Sequence, residues 1–242
     1  MSLSFAFEEV TIERGGVRVV GRLSYASGAP GWIGVVGANG SGKTTLLRAL
    51  AGRLPVQGGR ILIGGADLTH DRAARAERIG FAVDVAMLPA ELTPREVYAI
   101  SARAAGAVDD PALAPLRRAL DLEGFLDRKC GALSAGMGQR VALLAAFLDL
   151  PAIVILDEPF NWLDPLTAFD VKEALRALVT ARDMTLVTAL HDVSTMTAFC
   201  DRGLLMAGGR IALTMEEAEL RAGLADPVGF ERAMVERLRA SR

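Results

Sequence analysis

The chain predicts an α/β fold with a strand-rich N-terminal part and an inserted α-helical lobe, and three observations carry that expectation. An apolar run, Trp32 to Val36, passes through the glycine-rich stretch Gly37-Ala38-Asn39-Gly40-Ser41-Gly42-Lys43-Thr44 into a helix-like run from Thr45 to Ala51. Short apolar runs return at 152–156, 185–190 and 203–207, the first two preceded by helical stretches, which is the alternation of an α/β core. From about Pro94 to Leu126 the composition turns to alanine, leucine and scattered charge with few β-branched residues, and helices are favoured there.

The other elements follow in order. The first 35 residues alternate apolar and polar positions around Gly15-Gly16, Gly21 and Gly28-Ala29-Pro30-Gly31, as short strands joined by turns do. Gly58 to Gly65 reads as a further strand bounded by glycines, and Arg72 to Arg78 as a short polar helix entering a strand over Ile79 to Val83. The longest apolar region, Val141 to Leu156, is broken by Asp149 and Pro151; it reads as a helix and a buried strand, too short to span a bilayer. Met215 to Arg242 reads as a charged amphipathic helix.

Composition excludes several classes. With 27 basic and 29 acidic residues the net charge is −2, so no nucleic-acid partner is expected. Cys130 and Cys200 lie far apart without metal-ligand spacing, which suits reduced, packed thiols. Met1 to Val10 has no basic segment leading into an apolar core, so no signal peptide is expected.

The glycine-rich stretch is a phosphate-binding loop in the order its mechanism demands. Its glycines let successive N–H groups turn inward, the helix that follows adds partial positive charge, Lys43 reaches the outer phosphates, and the Thr44 hydroxyl is placed for Mg²⁺. The cofactors expected are therefore a nucleoside triphosphate and Mg²⁺, held by residues 37–45, Thr45 included.

A second half of the site is readable downstream. Ile153 to Leu156 is an apolar strand ending in Asp157 and Glu158. A carboxylate on such a rim either holds Mg²⁺ through water or caps a helix; the upstream phosphate loop favours the metal role for Asp157. Glu158, adjacent and pointing elsewhere, is left to polarise a water for attack on the γ-phosphate. His191 also terminates an apolar strand, and it is either structural or bonded to that phosphate and water.

At this point the residues resemble a family: the chain is similar, over nearly its whole length, to the ATP-binding subunit of ABC transporters. Leu133-Ser134-Ala135-Gly136-Met137, followed by Gln139-Arg140, resembles that family's signature motif, and Ser134 lies 23 residues before Asp157, as in the family. Asn161-Trp162-Leu163-Asp164 falls at its D-loop and His191 at its switch histidine. The resemblance implies a P-loop NTPase core with an N-terminal antiparallel β subdomain and an inserted α-helical subdomain. The expected division is a core of residues 1–83 and 151–242 around a helical part at 84–150.

It also implies ATP sandwiched in a head-to-tail dimer. The phosphate loop of one subunit would face Ser134 and Gly136 of the other, with Asp164 at the crossing and Lys43, Glu158 and His191 catalytic. A transmembrane permease on a separate chain would be the partner, in a homodimer or heterodimer of such subunits. The subunit would be cytoplasmic, peripheral on the inner face of the cell membrane.

The resemblance leaves as alternatives a weakly hydrolysing regulatory half of a heterodimer, or a soluble ATPase without a transport role. Three residues depart from the pattern. Arg14 stands where an aromatic ring usually stacks on adenine, and either stacks itself or is a solvated surface arginine. Asp84 stands where a glutamine usually opens the loop to the helical part, still a candidate Mg²⁺ ligand. Met137 replaces a glutamine, a change associated with some exporter-like subunits.

Overall fold

The structure is a computed structural model and describes residues 3–240. Alternation sets its N-terminal strands. β1 (Phe5–Arg14) buries Phe5, Phe7, Val10 and Ile12, and turns at Gly15-Gly16 into the antiparallel β2 (Val17–Ala26). β3 (Gly31–Gly37), α1 (Lys43–Leu50), β4 (Gly58–Ile63) and the two-residue β5 (Ala66–Asp67) follow. Strands β2, β1, β4 and β5 form a four-stranded antiparallel sheet in that order.

α2 (Arg72–Arg78) starts at Asp71, whose carboxylate accepts from Ala74 N at 2.9 Å, and runs into β6 (Ile79–Phe81). This strand stops short of the expected Val83. Ala82 N still reaches Ile155 O at 3.2 Å, but the Asp84 carboxylate then caps a 3₁₀ turn over Val85–Met87. Helices take over: α3 (Pro94–Ser101), opened by a Thr93/Glu96 capping box, α4 (Ala114–Leu120) and α5 (Ala135–Ala145). The chain finishes with β7 (Ile153–Asp157), α6 (Pro165–Arg182), β8 (Thr185–Ala189), α7 (Val193–Phe199), β9 (Arg202–Ala207), β10 (Arg210–Met215), α8 (Glu217–Ala225) and α9 (Pro227–Ala240).

The tail corrects the expectation of one helix from Met215. Gly208-Gly209 turn β9 into an antiparallel partner, β10, and Met215 is that strand's buried last residue. Asp226 and Pro227 then divide the helical remainder in two, Pro227 supplying no N–H to continue α8. Residues 1, 2, 241 and 242, the ends of two segments read from the sequence, lie outside the described residues.

Five strands of the second sheet run parallel, in the order β9, β3, β8, β7, β6, with β10 antiparallel on the edge. Its central strands are buried on both faces, which explains why they read as unbroken apolar runs. Alternate side chains serve two cores. Ile33, Val35, Ile153, Ile155 and Val187 pack with α1 and the antiparallel sheet; Trp32, Val36, Val154, Leu156 and Leu186 pack with the helices on the other side. Each such side chain contributes roughly 1.5–3 kcal/mol by leaving water.

Register decides where the site lies. Val35 and Asp157 both pair with Ala189, so β7 and β8 end level while β3 runs on to Gly37, and the loops beginning at Ala38, Glu158 and Leu190 leave from one edge of the sheet. Open parallel sheets bind ligands at that edge.

Candidate functional site

Gly37 ends β3 in a space that no side chain fits: a Cβ there would lie 2.3 Å from Met206 O and 2.8 Å from Ser41 Oγ. The backbone can therefore pass close under the loop and rise into α1. Gly42, at the helix N-cap, offers no side-chain cap, and the first turn of α1 holds no acid. The leading N–H groups of α1 are thus open to an anion. Ser41 adds a buried hydroxyl without a protein partner, an unmet polar group that a phosphate oxygen would satisfy.

Lys43 is buried and donates from Nζ to Gly37 O at 2.7 Å and Ala38 O at 3.4 Å. Burial lowers its pKa, against the opposing pull of Glu158 and Asp157. Thr44 Oγ donates to Asp157 Oδ1 at 3.0 Å, joining the loop to the end of β7. Burial is also the main influence on Asp157 and raises its pKa; the Thr44 hydrogen bond opposes it and the charge of Glu158 adds to it. A nearby cation would relieve that cost.

Glu158 stands beyond the strand with φ 53, in the left-handed region unusual for a non-glycine residue. Its N–H reaches Ala189 O at 3.2 Å, so β8 supports the turn. Its Oε2 takes two partners: His191 Nε2 at 2.8 Å and Asn161 Nδ2 at 2.9 Å. Glu158 and His191 line one cleft with residues 39–45 and Val19; Glu158, Thr44, Asp157, Asp84, Gln139, Asn161 and Trp162 line its neighbour.

Ser134 caps α5, its Oγ accepting from Met137 N at 3.3 Å, and is exposed. Gly136 lies against the next loop, where a Cβ would stand 2.5 Å from Trp162 O. Asp164 caps α6 by accepting from Thr167 N at 3.0 Å, a bond that lowers its pKa. Arg140, in the middle of α5, reaches the start of α6, from Nη2 to Asp164 Oδ2 at 3.4 Å and Thr167 Oγ at 3.2 Å.

A family profile described as ABC transporter matches residues 22–161, more than half the chain. The chain belongs to the ABC transporter family. It is 33% identical over 224 residues to a thiamine import ATP-binding protein of Jannaschia sp. (strain CCS1), covering 91% of this chain and 96% of that one. It is 32% identical over 211 residues to a Nod factor export ATP-binding protein of Burkholderia orbicola (strain AU 1054), covering 84% and 68%. A solved ATP-binding subunit of an ABC transporter shares the fold, with a TM-score of 0.81 at 23% identity over 96% of this chain and 99% of that one.

Within this ABC subunit the structure gathers Lys43, Thr44, Asp157, Glu158 and His191 around the loop. Ser134, Gly136 and Asp164 stand apart on the starts of α5 and α6, outside the cleft of residues 39–45 in the same chain. Arg14 is not brought to that cleft. It pairs with Val17 at the exposed tip of the β1–β2 hairpin; Val19, deeper in the sheet, lines the cleft instead. Asp84 does border the neighbouring cleft, with Oδ1 engaged by Ala86 N at 3.0 Å. Sequence reasoning missed Asn161 as a partner of Glu158. An asparagine three residues after an acid is the signal that suggests it.

Among the described residues no helix is long and apolar enough to cross a membrane.

Proposed function

We propose that this chain is the ATP-hydrolysing subunit of an ABC transporter, driving a separate membrane permease through ATP-dependent closure of two such subunits. The observation that carries this reading is the pair of contacts flanking the phosphate loop: Thr44 to Asp157 at 3.0 Å and Glu158 to His191 at 2.8 Å. One pair suits a metal, the other a water.

The loop residues would bind the triphosphate through backbone N–H groups and the Ser41 hydroxyl, with Lys43 leaving its carbonyl partners for the outer phosphates. Among the described residues no three His, Cys, Asp or Glu side chains converge as an all-protein metal cage. That suits Mg²⁺, which keeps waters and is commonly held by one or two carboxylates plus substrate phosphates. Thr44 and Asp157 would hold it, with Asp84 at the edge of the same cleft. The chemistry that Mg²⁺ would supply there is neutralisation of charge developing on the phosphates. Glu158 takes a proton from the attacking water, and His191 and Asn161 hold its carboxylate for that task.

Ser134, exposed at the start of α5, and the half-buried Gly136 beside it would meet the ATP of the partner subunit, and Asp164, joined to the same helix through Arg140, would face the crossing. Loss of the γ-phosphate removes the preference for the closed pair. A permease partner is supported by a groove between β6 and the helical part, lined by Phe81, Leu88 and Val97 and by Met87 and Ile100, 74% and 68% exposed. Docked there, the subunit would sit on the inner face of the membrane. Light scattering of Glu158→Gln protein tests the closure: ATP is expected to double its mass, and a monomer at saturating ATP would contradict it.

A further inference from the structure

Glu158 and His191 lie on separate loops that meet at one carboxylate oxygen, and a side chain outside the nucleotide site ties those loops together from behind. Lys172, in the middle of α6, is partly buried. Its Nζ lies 5.0 Å from the ring centroid of Phe160, two residues after Glu158, and 5.9 Å from that of Phe199. The same Nζ donates to Thr195 Oγ at 2.8 Å. Thr195 in turn donates from Oγ to Asp192 Oδ2 at 3.0 Å and from its backbone N to Asp192 Oδ1 at 2.5 Å. Asp192 is the neighbour of His191 and also accepts from Ser194 Oγ at 2.7 Å.

We infer that Lys172 is a positioning residue for hydrolysis, a strut from α6 that fixes the loop carrying Glu158 against the loop carrying His191 and so maintains their 2.8 Å contact. The chemistry fits the task. An ammonium has three donors and no acceptor, and its attraction to an aromatic face strengthens where water is excluded. It therefore holds Phe160 through its ring and α7 through a hydroxyl, two unlike surfaces, with one charge. Neither an arginine fork nor an apolar side chain supplies that combination at one atom. Lys172 touches neither the phosphate loop nor the clefts beside it, so its effect passes through the two loops alone.

The inference rests on the ATPase reading for its kinetic consequence, and one readout is independent of it. The chain has two histidines, His70 and His191, so their ring resonances are readily told apart by NMR. In Lys172→Met, which keeps the stem and removes the ammonium, the His191 ring signals should move in the direction that Glu158→Gln moves them, while those of His70 stay. Kinetically, kcat for ATP should fall between about tenfold and 10²-fold, as small misplacements do. KM should change by less than about twofold, since nucleotide binding is untouched. In a His191→Ala background the same substitution should add less than about a twofold loss.

Unmoved His191 signals, an unchanged kcat, or an equal loss with and without His191 would each overturn the strut. Should Lys172→Met not fold, Thr195→Val removes the other end of the link and is read by the same measurements. A wild type that does not turn over ATP would refute the ATPase reading while the NMR comparison still decides the strut.

Discussion

Glu158 carries two unusual features at once: a left-handed backbone and a carboxylate oxygen shared by a histidine and an asparagine. Strained, multiply held residues cluster at reacting centres because the surrounding structure must over-determine them. Replacing the base by glutamine keeps shape and hydrogen bonding, so Glu158→Gln should lose about 10²–10⁴-fold in kcat and keep its nucleotide affinity. Asp157 gives a pH prediction. Its pKa is raised in the folded protein, chiefly by burial, so the folded state holds that proton more tightly than the unfolded chain does. The apo protein therefore loses stability as pH rises from the ordinary aspartate range through the raised value. As the proposed Mg²⁺ ligand, Asp157 would act in its ionised form, so affinity for Mg·ATP should fall as pH drops through the raised value, while affinity for metal-free ATP falls less. Titrations of Glu158→Gln protein over pH, with and without Mg²⁺, read the difference. Lys43, Thr44, Asp157, Glu158 and His191 were legible because each stands at a strand end or in a loop whose chemistry is local. Val19 and Lys172 were not, because their roles come from contacts between segments that spacing does not relate; Asn161, three residues after Glu158, had a local signal that went unread. Arg14 shows the converse: its position was readable, but it stands exposed at the hairpin tip and does not line the cleft of residues 39–45.

At the scale of elements, packing between loops sets tolerance. Gly136 opens α5 beneath the carbonyl of Trp162, and backbone cannot yield as a flexible side chain does. Gly136→Ala should therefore cost about 1–3 kcal/mol in urea unfolding, the usual cost of overpacking. Asp164 caps α6 through Thr167 N, and Asp164→Ala should cost about 1 kcal/mol by the same assay. Strands β3, β7 and β8 were plain in the sequence because burial on both faces leaves unbroken apolar runs. β10 was hidden because its pattern is that of a half-exposed edge strand, alternating weakly beside two charged helices. The turn at Gly208-Gly209 was its local signal.

At the scale of the whole molecule, the site is divided. The phosphate loop, Asp157 and Glu158 belong to the sheet edge, whereas Ser134 and Asp164 are exposed caps at the starts of α5 and α6. In the proposed reading one chain presents two half-sites, and a second chain completes each. Ligand that binds only the folded form stabilises it by about 2.7 kcal/mol at a hundredfold excess over Kd. ATP should therefore raise the Tm of Glu158→Gln protein, and the shift should grow with protein concentration because closure joins two copies. A shift independent of protein concentration would argue for binding without closure.

In the proposed mechanism Glu158, held by His191 and Asn161, is the base for ATP hydrolysis on the phosphate loop. Phosphate release from Mg·ATP should be measured for wild type and Glu158→Gln side by side, with nucleotide binding measured on the same samples. The wild type should turn over ATP, and the variant should bind ATP but release phosphate at least about 10²-fold more slowly. A variant that hydrolyses at the wild-type rate would contradict that mechanism.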